Sequence, residues 1–246
     1  MATPTTLARP PITEALVDFR AGVDAPPELF DAFAKELSPR FPDVEVRRGI
    51  KAELRIEHGK LIPPIAEDLG FQGVRLKNRD GTLLVQFRPD GFTLNNLTTY
   101  VGGDRLIAEA LDLWSQWVAR AHPQVVTRVA FRYLSQLELP IRDGDEFTKY
   151  LTAPPELPAG APQGMSEFLT RVVTHDAPTS STVIVTQRLQ PRLPLLPLLH
   201  LDIDAFKAGD FPVEAGALRS VLDSLRIVKN QTFFSLLTEE AVRLYQ

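Results

Sequence analysis

Arg128-Val-Ala-Phe-Arg-Tyr-Leu-Ser-Gln-Leu-Glu-Leu-Pro140, followed by Glu146-Phe-Thr-Lys-Tyr-Leu-Thr-Ala-Pro-Pro155, is the stretch on which the reading of the fold turns. It reads as a long strand, a proline stop, a short helix and a proline-rich loop. It lies in the middle of a chain of 246 residues. There the order of elements that begins at Pro11 starts again.

The first half supplies the template. Pro10 and Pro11 force extended geometry into Ile12 to Arg20, where Ala15, Val17 and Phe19 alternate with Glu14, Asp18 and Arg20 at the period of a strand. Pro26 and Pro27 precede Glu28 to Leu37, in which Leu29, Phe30, Phe33 and Leu37 fall at helical spacing, and Pro39 and Pro42 end that helix. Val44 to Ile56 is strand-like and strongly charged. Phe71 to Lys77, Thr82 to Arg88 and Phe92 to Leu97 are strands separated by Asn78 to Gly81 and Pro89 to Gly91, both hairpin signals that make them antiparallel neighbours. Leu106 to Ala121 is a helix with Leu106, Ala110, Leu113, Trp114 and Trp117 along one stripe. Asp104, after Gly102 and Gly103, is expected to cap it.

The second half follows the same order. Val125 to Leu139 is a strand, Glu146 to Leu151 a short helix, and 153–164 a loop rich in proline, glycine and alanine. Met165 to Thr174, Thr182 to Leu189 and Leu198 to Phe206 read as strands. Ala215 to Phe234 reads as a long helix, with a last turn that Thr238 caps ahead of Glu239 and Glu240. The expected class is α+β: two pseudo-repeated halves, each strand, short helix, antiparallel strands and long helix, with sheets packed against the two long helices. Residues 1–10 form a polar, mobile tail; 11–123 and 124–246 are the two halves, joined as one compact unit. The repeat rests on element order alone, because the halves share almost no residues.

Composition narrows the function. The chain has 44% hydrophobic and 24% charged residues, a net charge of −4 and no cysteine. Disulfides, thiol nucleophiles and thiolate-bound metals are therefore excluded. A dedicated nucleic-acid binder is disfavoured, since such proteins carry a strongly basic face. The N-terminal residues have no apolar signal core, and no apolar run reaches membrane-spanning length. The expected setting is the cytoplasm, without membrane.

Four segments resemble a known family. Pro10-Pro-Ile-Thr-Glu-Ala-Leu-Val-Asp-Phe19, the mid-chain Arg132-Tyr-Leu-Ser-Gln-Leu-Glu-Leu-Pro140, the His200-Leu-Asp-Ile-Asp204 strand and Phe233-Phe-Ser-Leu-Leu-Thr-Glu-Glu240 are similar to segments of the sporadically distributed bacterial proteins of the TIGR04255 family. Ser135-Gln136 stands where Asn-Arg is commoner in that family. The resemblance spans nearly the whole chain. It implies a cytoplasmic bacterial or phage-borne protein and brings no catalytic residues with it.

Few constellations carry chemistry. His200, Asp202 and Asp204 alternate with Leu199, Leu201 and Ile203, so on a strand they share one face. One imidazole and two carboxylates are metal ligands in type. Ligands ~7 Å apart along a single strand rarely converge on one ion, so a polar sheet face is the preferred reading. Glu14 and Asp18 correspond in the repeat to Arg128 and Arg132. If the two strands are neighbours, charge pairs across them would set the register, with Asp202 and Asp204 as alternative partners of the arginines. The same arginines would otherwise bind an anionic ligand.

Other motifs are weaker still. The four histidines are scattered, and no serine stands in a Gly-x-Ser-x-Gly elbow. Gly102-Gly103 lacks the Gly-Lys-Ser/Thr of a phosphate loop. Arg47, Arg48, Lys51 and Arg55 form a basic strand whose field Glu45, Glu53 and Glu57 cancel, as on a solvated edge. Leu193, Leu195 and Leu196 sit among prolines and would be a docking surface where exposed.

The expectation is a non-enzymatic protein-binding or regulatory module. The sporadic occurrence of the resembled family suggests phage defence, counter-defence or toxin neutralisation. The alternative is a ligand binder or enzyme with a polar cleft between the halves, lined by Arg128, Arg132, His200, Asp202 and Asp204. No cofactor and no metal is called for. The partner is another protein, and a homodimer stays open.

Overall fold

The computed structural model describes residues 1–57, 60–98, 102–141, 146–192 and 195–246, with 52–66, 192 and 195 described by backbone alone. The chain forms one antiparallel sheet of nine strands. In chain order the elements are β1 (Ile12–Arg20), α1 (Pro27–Leu37), β2 (Asp43–Glu57), β3 (Lys60–Lys77), β4 (Leu83–Arg88), β5 (Gly91–Asn96), α2 (Gly103–Ala121), β6 (Val126–Glu138), β7 (Phe168–Asp176), β8 (Ser181–Arg192), β9 (Leu195–Phe211), α3 (Ala215–Leu236) and α4 (Glu239–Arg243). Across the sheet the strands run β2-β3-β4-β5-β1-β6-β9-β8-β7. Each half thus builds one wing, and β1 and β6 meet antiparallel at the centre, with Asp18 opposite Ala130 and Leu16 opposite Arg132.

All the hairpins expected from the turn residues form. β3 pairs with β4 and β4 with β5, turning at Asn78–Gly81 and Pro89–Asp90. The short helix expected at Glu146–Leu151 is a single 3-10 turn, Phe147–Lys149, because the chain leaves it to bridge Leu151 to Leu237. Asp104 does not cap α2. Gly102 holds the cap position at φ 110°, and Asp104 instead pairs with Arg219 and Arg226 of α3. Thr238 does cap α4, its hydroxyl accepting from the Ala241 N–H at 3.3 Å. Residues 1–10, read as a tail, lie along the C-terminal elements: the Ala2 N–H donates to the carbonyls of Phe234 and Leu237, and Arg9 donates to Leu244.

The helices cover one face of the sheet only. α2 lies on β1 and β5, α3 on β6 and β9, and α1 against β3, so a third helix joins the two long ones. The core beneath them is aromatic. Trp117 packs within 5.2 Å of the rings of Phe30, Phe33 and Phe87, and Trp114 packs against Phe19 and Phe92. Strand alternation sorts the residues: Val17 and Phe19, Phe131 and Tyr133, Leu201 and Ile203 point to the helices, and their neighbours point away.

One charge is enclosed on the covered side. Lys229 of α3 is 3% exposed, with its Nζ 3.1 Å from the centre of the Tyr133 ring. Burial, reinforced by Arg226, pushes its amine well below the ordinary range. The folded state therefore disfavours the protonated form, and stability falls as pH drops through the depressed value. Lys229→Met is expected to stabilise the chain by about 2 kcal/mol. That gain should narrow as pH approaches 10.5, the ordinary amine value, in urea titrations across pH. A gain independent of pH would count against a charge penalty.

Candidate functional site

Among the described residues no helix covers the other face of the sheet, and its central strands carry their polar side chains there. On β1 these are Glu14, Asp18 and Arg20; the hairpin of β4 and β5 adds Gln86, Arg88, Thr93 and Asn95; β6 and β9 add Arg128, Arg132, Asp202 and Asp204. All of these but Asp202 floor an open depression of about 460 Å³. A second depression of about 610 Å³ adjoins it toward β3 and shares Arg20, Gln86 and Arg88 with the first. The two form one trough running across the strands.

Asp18 is the hub of the trough. It is 6% exposed. Its Oδ2 accepts from Arg88 Nη2 at 3.0 Å and from the Thr93 hydroxyl at 2.7 Å, and its Oδ1 accepts from Arg128 Nη1 at 3.0 Å. Arg20 Nε stands 3.3 Å from the same Oδ1. Arg128 reaches onward to Asp204 Oδ2 at 2.7 Å, and its Cζ stands over the Phe206 ring 4.3 Å from the centre. Arg132 grips Asp202 with a two-pronged bond, Nε at 2.7 Å and Nη2 at 2.5 Å. Glu14 accepts from Asn95, and Arg20 and Arg88 both hold Asp90.

The network leaves one oxygen short. Asp204 Oδ1 is buried with no donor. Burial pushes the Asp204 carboxyl up, and the pull of Arg128 and Arg132 does not offset it; the nearby charges of Asp202 and Asp18 add to the rise. A raised acid holds its proton more tightly folded than unfolded. Its contribution to stability is complete below the ordinary carboxyl value of 3.8 and is lost as pH rises through the raised one. Relative to the parent chain, Asp204→Asn should therefore gain stability as pH climbs from the ordinary carboxyl value of 3.8 through the raised one. Urea midpoints for both proteins test this, and a constant difference would contradict it.

The residues read from the sequence are partly united here. Arg128, Arg132 and Asp204 line the first depression, and Asp202 closes on Arg132 beside it. His200 stays outside, opposite Gln136 on β6 and Arg188 on β8. The carboxylates of Asp202 and Asp204 point at guanidiniums, and among the described residues no three His, Asp or Glu side chains gather as metal ligands. Glu14 pairs with neither arginine: Asp18 takes Arg128 across the centre, and Arg132 turns to Asp202.

Sequence reasoning missed Arg88, Thr93 and Asn95. Their signal was the alternation within the β4–β5 hairpin, where Gln86, Arg88, Thr93 and Asn95 share the face opposite Phe87, Phe92 and Leu94.

The other surface segments differ from one another. On β2, an edge strand, Arg47 pairs with Glu45 and Arg48 with Asp68, as expected of a solvated edge. Leu196 is 43% exposed near the tip of the β8–β9 hairpin, whereas Leu193 and the Leu195 side chain lie outside the described residues. No helix among the described residues is long and apolar enough to cross a membrane. No family model matches the chain, and no curated protein matches it.

Proposed function

We propose that this protein is a non-enzymatic binding module, cytoplasmic and bacterial, that docks another protein on the uncovered face of its sheet. The observation that carries this reading is the closed charge network of the trough. Apart from the enclosed Asp204 Oδ1, its arginines and carboxylates satisfy one another, which leaves little in the trough to serve as acid, base or nucleophile toward a reacting atom. What remains is a broad face patterned in charge, of the kind that gives specificity in association. A role in phage defence, counter-defence or toxin neutralisation follows from the family resemblance and belongs to the same proposal.

We also infer that the halves form a pseudo-twofold repeat about an axis between β1 and β6. The strand order supports it: β5, β4 and β3 flank β1 as β9, β8 and β7 flank β6, with β2 as an addition.

Affinity capture from the source organism tests the docking proposal when run with three proteins. Leu134→Glu places a new carboxylate in the trough lining, across from Glu14 and Asp202, and Ile227→Glu alters an exposed position on α3. A partner recovered by the parent and by Ile227→Glu, but lost from Leu134→Glu, is the expected result. Retention by Leu134→Glu with loss from Ile227→Glu would move docking to the helical side and reject the proposal.

A second reading, a small ligand held in the first depression, is favoured by the unsatisfied Asp204 Oδ1, which suits an amine or hydroxyl donor. A thermal-shift screen of amines, in which Asp204→Asn loses the shift, would establish it.

A further inference from the structure

We propose that Arg47 and Arg75 form an oxyanion subsite at the outer end of the trough, taking a carboxylate or phosphate group. This rests on the docking reading in so far as the group is carried by what binds that face. Arg75 lies on β3 with Glu45 of β2 as its cross-strand neighbour, and Arg47 follows two residues along β2. Opposite Arg47 stands Gly73. A Cβ there would come within 2.2 Å of the Phe87 carbonyl oxygen, so glycine is what lets β4 close against β3 beside the two arginines.

The second depression offers donors in excess of acceptors. It is lined by the guanidiniums of Arg20, Arg47, Arg75 and Arg88 and by one carboxylate, Asp90, which Arg20 and Arg88 already hold. The Arg75 side chain makes no hydrogen bond to any described residue. Its nearest charge partner is Glu45, 3.5 Å from Nη1, and its Nε is buried without an acceptor. The Arg75 side chain is 33% exposed, so its outer N–H groups are open to an oxyanion, which takes such bonds two at a time.

Glu45 shows where the two guanidiniums converge. Its Oε1 is 2.9 Å from Arg47 and its Oε2 faces Arg75, yet its side chain is 54% exposed. It is a loosely held internal carboxylate that does not itself line the depression, whereas both guanidiniums do, which leaves their cavity side to an incoming oxyanion. Beside it, Phe71, Val74 and Pro89 give the cavity an apolar wall for the rest of the ligand.

Pyrophosphate and a hexaglutamate peptide, each titrated into the full chain at constant ionic strength and followed through the arginine Nε–H resonances, test the proposal. Saturable binding with the Arg75 resonance moving most is expected. Arg75→Gln should weaken it at least tenfold, and Glu45→Gln, which removes the internal competitor, should tighten it severalfold. Tighter hexaglutamate binding identifies an acidic peptide as the source, and tighter pyrophosphate binding a phosphoryl group. The proposal is overturned if neither anion saturates, or if Arg75→Gln and Glu45→Gln leave the affinity unchanged, which would mean an adventitious ion only. Because no partner protein is used and Leu134 lies in the other depression, this result and the capture result can fail separately.

Discussion

Gly91→Ala is expected to cost about 4 kcal/mol, the sum of a strained backbone and an overpacked contact. Gly91 opens β5 at φ 154°, and a Cβ there would stand 2.1 Å from the Phe19 carbonyl oxygen and 3.2 Å from the Arg20 Cα. Neither atom can move without shifting β1, the strand on which Asp18 is mounted. Gly91 is also the cross-strand neighbour of both Arg20 and Arg88, so the absent side chain leaves the floor on which those guanidiniums reach Asp90 and Asp18. The variant should lower the urea midpoint sharply. Gly216→Ala is the control, because a Cβ there meets nothing within 4 Å. It should be neutral or mildly stabilising in α3. Equal behaviour of the two variants would refute the close-approach argument.

Asp18→Ala should cost about 3 kcal/mol, near the lower end for breaking an enclosed ion pair. Removing this carboxylate leaves Arg88 and Arg128 facing each other across an emptied site, and Thr93 without its acceptor. The two arginine side chains are 20% and 24% exposed, so water replaces part of what is lost. A double-mutant cycle with Arg128→Ala separates the pair from the packing: a coupling of about 1 kcal/mol or more is expected. Coupling near zero would mean that Asp18 contributes by filling space. Asp18→Asn, which keeps an acceptor oxygen, should fall between the parent and Asp18→Ala.

The two substitutions also explain why the site was only half legible. Alternation along single strands correctly separated Glu14, Asp18, Arg128, Arg132, Asp202 and Asp204 from the core, because a strand has only two faces. Which acid meets which arginine depends on register between strands distant in sequence. Asp18 and Arg128 are two residues off direct opposition, Arg20 being the residue across from Arg128, and only the assembled sheet decides that diagonal. Arg88 and Thr93 were missed for the same reason. They join the network because β5 lies against β1, a neighbour relation that hairpin signals do not carry. Asp104 shows the converse: a local capping signal yields to two arginines from α3.

From the sequence alone came whatever depends on neighbours along the chain: strands from period-two alternation, helices from apolar stripes bounded by prolines, hairpins from Asn78–Gly81 and Pro89–Gly91, and the absence of thiol chemistry. Tertiary structure decided the rest. It joined two wings into a single sheet at β1 and β6, put every long helix on one face, and gathered charges 70 to 110 residues apart into the trough on the other. The physical reason is one of range. Backbone preference and side-chain periodicity act over a few residues, whereas a shared carboxylate needs atoms from several strands within about 3 Å, and only packing of the whole sheet brings them there.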